Sequence, residues 1–210
     1  MPGVNEKMSA REARKGKEME QASIRAKLAA AYADGALDPA LRLLVEAQSA
    51  AAPAGARILA GDEEGPRPEA PAAPRGDLIA ELSALPAVIQ NAAIQALARR
   101  AWGGPLPGLK WIELDIGGKA VTRLLRVSPR ARLPRHGHEG AEYALVLGGA
   151  LADGVGRYQV GDVSFADDAV THTPRAGDGR VLWMLVVRYG AMKLSGPVGL
   201  IQRLVLPNVR

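Results

Sequence analysis

The apolar positions of this chain change period near residue 100. Up to that point they recur at intervals of three and four, the spacing of one helix face. Leu28, Ala31 and Tyr32 make a short face, and Asp34-Gly35 reads as a helix stop. Asp38-Pro39 follows, a capping side chain with proline at the first helical position, and Leu41, Leu44 and Val45 supply the next face. The pattern predicts a helical hairpin over 21–52. A third helical stretch begins after Asp77 and carries Leu78, Leu82, Leu85, Ile89 and Ala92; Pro86 should kink or split it, and Arg99-Arg100 suits its C-terminal end. From Trp102 onward Gly, Pro and Asp punctuate short runs of Val, Leu and Ile. Trp111–Ile116, Val121–Val127, Glu142–Leu147, Arg157–Val160 and Val181–Arg188 read as strands, which predicts a sandwich or barrel. The fold class expected is α+β.

Between the helical stretches the pattern breaks down. Five prolines (Pro53, Pro66, Pro68, Pro71 and Pro74) and the charged Gly61–Gly65 run make an extended linker. The expected division is a charged flexible arm over 1–20, a helical segment over 21–60, a Pro-rich linker over 61–76, a helix over 77–101 packed on the barrel, and the β domain over 102–210.

Composition narrows the chemistry. The 210 residues are 48% hydrophobic but only 4% aromatic, so the core must be aliphatic. There is no cysteine, which excludes disulfides, thiolate metal sites and thiol switching. No apolar run reaches the ~18 residues of a membrane span and no apolar signal core stands at the N-terminus, so a cytoplasmic protein is expected. The net charge is +5, and residues 1–27 hold seven Lys/Arg against four Glu. With no aromatic interleaved and the glutamates diluting the field, this reads as a solvated tail and not as a nucleic-acid surface.

The chain has three histidines, all in the β-rich half. His136 and His138 lie two apart, on one face of a strand. Glu139-Gly140-Ala141 reads as a turn, after which Glu142 would open the next strand beside them, and His172 arrives after Gly161-Asp162 and a further strand. Three imidazoles and one carboxylate suit Zn, Fe, Mn, Ni, Co or Cu, and imidazole is mostly neutral at pH 7. Elsewhere the sequence is bland. Gly154-Val155-Gly156 reads as a turn, Asp167-Asp168 as a polar turn, and no residue is assigned a catalytic role.

These ligands resemble the first motif of the cupin family, His-x-His, three or four residues, Glu, six residues, Gly, here His136, His138, Glu142 and Gly149. Gly161 and His172 match the second motif, with Asp167 and Ala169 where it has Pro and Gly. Arg130 stands where the first motif has its leading Gly. The resemblance implies a double-stranded β-helix barrel holding one divalent metal ion, Zn first, with Fe, Mn or Ni as the others.

The order of helical hairpin, linker and cupin resembles the ChrR family of anti-sigma factors, through Ala31–Leu37, Pro134–His138, Glu142–Gly149 and His172-Thr173-Pro174. That resemblance implies a cytoplasmic transcription regulator that binds a sigma factor of the extracytoplasmic-function type through its hairpin and tunes an oxidative-stress response through its cupin. Tyr32, Leu37, Leu41, Leu44 and Val45 are the expected partner-binding positions. The zinc motif of such helical domains is missing: Gln48, Ala52 and Gly55 stand at its His, Cys and Cys, and Ser23 lies near the upstream His. Two helices this short are marginal without metal or partner, so the hairpin should dock on a partner, a second copy in a homodimer, or the Leu78–Leu97 helix. Without cysteine, oxidant sensing must use the metal, its ligands, Met184, Met192 or Trp183. The alternatives are a cupin metalloenzyme such as a small dioxygenase, for which Tyr143, Tyr158 and Glu113 are the nominated acid–base groups, and a plain small-molecule-binding cupin.

Overall fold

Asp38 starts a helix by accepting the amide protons of Ala40 and Leu41, each at 3.0 Å, with Pro39 in the first turn. In the computed structural model that helix is α2 (Pro39–Ala51), and α1 (Val4–Ala33) ends just before Gly35, whose φ of 67° reverses the chain. The structure describes residues 4–53, 56–59, 77–104, 106–154 and 156–194, and of 4–15, 17 and 18 only the backbone. The linker over 61–76 and everything after Leu194 lie outside the described residues. α1 corrects one expectation: the backbone of 4–20, read as a flexible arm, is helical. Lys, Glu, Arg, Met and Ala are good helix formers, so a helix anchored over 21–33 propagates back through them without an apolar stripe. Pro86 does split the third helical stretch, into α3 (Leu78–Ser83) and α4 (Ala87–Leu97). No helix among the described residues is long and apolar enough to cross a membrane.

The rest is antiparallel sheet. A five-stranded sheet runs in the order β1 (Leu109–Glu113), β2 (Val121–Val127), β10 (Leu182–Arg188), β4 (Glu142–Gly148), β7 (Val163–Ala166). Two three-stranded sheets complete the barrel: β11 (Met192–Leu194), β3 (His136–His138), β8 (Thr171–His172); and β6 (Arg157–Gln159), β5 (Ala150–Ala152), β9 (Arg175–Ala176). The class is α+β.

The five-stranded sheet is buried on both faces, which is why its strands read as near-continuous apolar runs. Leu124, Leu145, Leu147, Val163, Trp183, Leu185 and Val187 face outward and pack with Leu28, Leu43, Leu44, Val45, Ile89 and Ala93 of the helices. Their neighbours Val127, Val146, Leu182 and Met184 face inward and pack with Leu151, Tyr158 and Ala176 of the third sheet. Strand alternation thus puts a helix-packed core on one side of the sheet and the barrel interior on the other.

Three buried polar side chains fix the helices to that outer face. Glu81 on α3 accepts from Nε and Nη2 of Arg126, both at 2.7 Å, and from the Trp183 indole at 3.2 Å. Gln48 on α2 donates to the carbonyls of Ala56 (2.7 Å) and Gly161 (2.9 Å) and accepts from the Ile58 amide at 2.8 Å. Gln21 on α1 donates to the Val163 carbonyl at 2.6 Å and accepts from the Val163 amide at 3.0 Å. Gln21 therefore does for β7, the open edge of the sheet, what a further strand would do. Close packing accompanies these bonds: a Cβ on Gly161 (φ 88°) would lie 2.7 Å from both Cα and Cβ of Ala52.

Candidate metal centre

The period of two along β3 aims His136 and His138 at one spot, and His172 sits directly opposite His136 across the β3–β8 pair. The Nε2 atoms of His138 and His172 lie 3.2 Å apart, and those of His172 and His136 3.0 Å. Glu142 opens β4 after its turn, and its carboxylate oxygen joins the imidazoles so that all four candidate ligand atoms fall within 4.8 Å of one another. Metal–nitrogen bonds of 2.0–2.1 Å place neighbouring ligand atoms about 3 Å apart, so this spacing fits a shared ion.

Local contacts orient the set. His136 Nδ1 is 2.8 Å from the Pro134 carbonyl, which can only accept, so the proton sits on Nδ1 and the Nε2 lone pair faces the cluster. His138 Nδ1, His172 Nδ1 and Glu142 Oε2 are buried and have no hydrogen-bond partner. Burial lowers His136 and His138 from 6.5 to about 4, with the positive field of Arg188 adding to it, so both candidate ligands are neutral imidazoles well below pH 7. Burial raises Glu142, while Arg188, its cross-strand neighbour, works to keep it ionised. A buried carboxylate beside neutral imidazoles with converging lone pairs is a donor set that gains from a divalent cation.

The motif glycines and their replacements have visible reasons. A Cβ at Gly149 (φ 71°) would lie 2.5 Å from the Val181 carbonyl oxygen. Arg130, standing in the place of the leading glycine, is the one non-glycine residue with positive φ (66°) among the described residues. Asp167 replaces the motif proline by closing its own turn: its carboxylate accepts from Ala169 N at 3.0 Å and its carbonyl from Val170 N at 3.0 Å. Asp168 accepts from the Gly140 amide. The two aspartates are turn residues, as read.

Beside the cluster lies a cavity of about 50 Å³. It is lined by His136, Glu142 and His172, by aliphatic side chains, by both Met184 and Met192, and by Ser164. Sites for larger substrates run from about 300 Å³ upward, so this one suits only a very small ligand. None of the nominated acid–base groups lines it. Tyr143 packs on Phe165, Glu113 pairs with Arg123 at 3.0 Å, and Tyr158 bonds to Ser164 with its own ionisation pushed up to about 12 by burial.

The partner-binding positions divide. Tyr32, Leu37 and Leu41 are half-buried. Leu44 and Val45 are fully buried by the outer face of the sheet and by α4, so they are corrected from partner surface to core. An apolar helix face shows that something covers it, and here the chain covers it itself. The sequence reading missed Arg188, hidden at the end of an apolar strand, and Asp153, whose position before Gly154 reads as a turn. Asp153 Oδ2 lies 3.6 Å from His172 Nδ1.

Comparison with known proteins follows the same lines. The family model of the ChrR cupin-like domain matches residues 90–192. The anti-sigma-E factor ChrR of Cereibacter sphaeroides is 41% identical over 80 residues, which span 38% of this chain and 36% of that protein. In the crystal structure of Rhodobacter sphaeroides SigE in complex with the anti-sigma ChrR, the matched chain is 30% identical, with a TM-score of 0.56, over 78% of this chain and 96% of its own length.

Proposed function

The chain belongs to the ChrR-like cupin family, and on that premise we propose that it is a cytoplasmic anti-sigma-type regulator whose barrel binds one divalent metal ion. Zinc is the first choice, because three imidazoles and a carboxylate suit it without redox chemistry, with iron, manganese and nickel behind it. The observation that carries the reading is the buried His136, His138, Glu142 and His172 cluster, in a chain that matches 96% of the length of one solved in a sigma–anti-sigma complex. The partner is a sigma factor of the extracytoplasmic-function type, met through the half-buried Tyr32, Leu37 and Leu41. With no cysteine in the chain, an oxidant signal has to reach the ion, its ligands or the thioethers of Met184 and Met192, which line the same cavity. Trp183 belongs to the other face of the sheet.

The dioxygenase reading is not favoured. Among the described residues the cavity adds one polar side chain, Ser164, to the ligands, and its 50 Å³ leaves no room for a diketone with a positioned base.

Elemental analysis of the full-length protein should find about one metal ion per chain, and His138→Ala should lose most of it. Full retention by that variant removes the metal reading. Co-expression with an extracytoplasmic-function sigma factor from the same genome should give a stable co-purifying pair, and failure of the intact protein to pair with any of them removes the anti-sigma reading.

A further inference from the structure

The same edge strand touches both the metal cluster and the helical hairpin. On its outer side, β7 offers the amide and carbonyl of Val163 to Gln21, and the turn just before it offers the Gly161 carbonyl to Gln48. The next residue, Ser164, points into the barrel, where its hydroxyl donates to Asp153 Oδ2 at 3.2 Å. Tyr158 bonds to the same hydroxyl. Asp153 is 4% exposed and is held from the other side by the Gly156 amide, which donates to its Oδ1 at 2.8 Å. Its Oδ2 faces His172 Nδ1 across 3.6 Å, too far for a hydrogen bond, and that nitrogen has no other partner.

We propose that Asp153 is the positioning residue for the ligand His172, and that through Ser164 and β7 it couples metal occupancy to the docking of the α1–α2 hairpin on the barrel. This rests on the metal-binding reading above. When His172 gives the Nε2 lone pair to the site, its proton is fixed on Nδ1, the atom that faces Asp153, and the ring gains a reason to close the gap to that carboxylate. Asp153 cannot follow His172 without Ser164, and Ser164 is covalently next to Val163, the residue that Gln21 brackets. Gln21, Gln48 and the β7 edge are therefore a seat whose order depends on what the far side of the strand is doing. The hairpin is the bistable element that such coupling requires, because it is joined to the barrel by a few buried polar bonds and one apolar face.

Hydrogen exchange of the full-length protein, with one equivalent of zinc chloride and after chelation, tests this. Zinc affinity is read in parallel by competition with a chromophoric chelator. In the wild type, zinc should slow exchange in peptides covering 21–51. Asp153→Asn should weaken zinc by about 10- to 100-fold and, at saturating zinc, abolish the zinc-dependent protection of 21–51. Ser164→Ala should keep most of the affinity and lose the same protection. A purely structural role would shift both the zinc-loaded and the chelated states alike, leaving the difference between them unchanged. Equal zinc-dependent protection in the wild type and both variants overturns the coupling, as does zinc bound by the wild type with no change in 21–51. Absence of zinc binding by the wild type overturns the metal reading and this inference with it.

Discussion

Replacing Gln48 by leucine tests how much of the hairpin is held by one amide. The two side chains are close in volume, so no large cavity is created and the hydrogen bonds are what changes. Three partners are lost: the Ile58 amide at 2.8 Å, the Gly161 carbonyl at 2.9 Å and the Ala56 carbonyl at 2.7 Å. Ile58 and Gly161 are buried, whereas Ala56 is half-buried and can turn to water. Each of the two groups shut away unpaired costs about 1–3 kcal/mol, and the added apolar burial of leucine returns roughly 1 kcal/mol, so the expected loss is about 1–5 kcal/mol. With a urea slope of about 2 kcal/mol per molar for a domain of this size, the midpoint should fall by about 0.5–2.5 M. The measurement is urea unfolding of chelated full-length protein, followed by tryptophan fluorescence. A destabilisation below about 0.5 kcal/mol would show that the amide's partners find water, and the claim that Gln48 latches helix to barrel would fall.

Three further outcomes are expected. Glu81→Ala strands the Arg126 guanidinium and the Trp183 indole against the sheet and should cost about 3–5 kcal/mol in the same unfolding assay; a loss under about 1 kcal/mol would mean Arg126 escapes to solvent. Arg130→Gly removes a side chain from the left-handed region (φ 66°) and should stabilise by about 0.5–1 kcal/mol, read as a higher melting temperature; a lower one would place the arginine's worth in its packing. The pH profile follows from depressed histidines: the folded apo chain binds fewer protons than the unfolded chain between pH 6.5 and about 4, so His136 and His138 favour folding above that window and lose this contribution as pH falls through it. For the same reason neither imidazole has a proton to displace at pH 5.5, and zinc affinity measured by chelator competition should not fall by the roughly hundredfold per pH unit that two ordinary histidines would give below their pKa.

The candidate ligand cluster was legible because strand geometry is strictly periodic. His136 and His138 had to share a face if the segment was a strand, and a three-residue turn could deliver Glu142 beside them. The caps at Asp38 and Asp77 and the break at Pro86 were legible for a similar reason, since each is a local bond or a missing one. What the sequence hid is whatever depends on pairing across the chain. Leu44 and Val45 announce an apolar face without saying that Leu145, Leu185 and Ala93 cover it. Gln21 and Gln48 look like ordinary polar helix residues until Val163 and Gly161, more than a hundred positions away, are set against them. Asp153 looks like a turn former, which it also is, through Gly156. β8 has two residues and no pattern at all, yet it places His172.

The hairpin lacks the thiolates that could tie it together, and its substitute has a consequence for any partner. At the position expected of a metal-binding histidine, Gln48 joins the end of α2 to the 56–58 segment and to the barrel at once. Stability that a self-contained metal site would keep within the hairpin is thereby shared with the sheet. A partner that claimed Leu44 and Val45 would first have to expose them, together with the sheet residues beneath, and these two side chains alone are worth roughly 3–6 kcal/mol of burial. At about 1.4 kcal/mol per factor of ten, that opening would weaken binding by at least a hundredfold before any new contact formed. Tyr32, Leu37 and Leu41 carry no such cost, since they already reach the surface. On the proposed reading, first contact would fall on that half-exposed edge, and deeper engagement of α2 would become favourable only when the seat on β7 loosens. Because that seat shares Ser164 with the carboxylate facing His172, the proposed coupling would make the state of the metal cluster and the depth to which a partner can engage the hairpin one equilibrium.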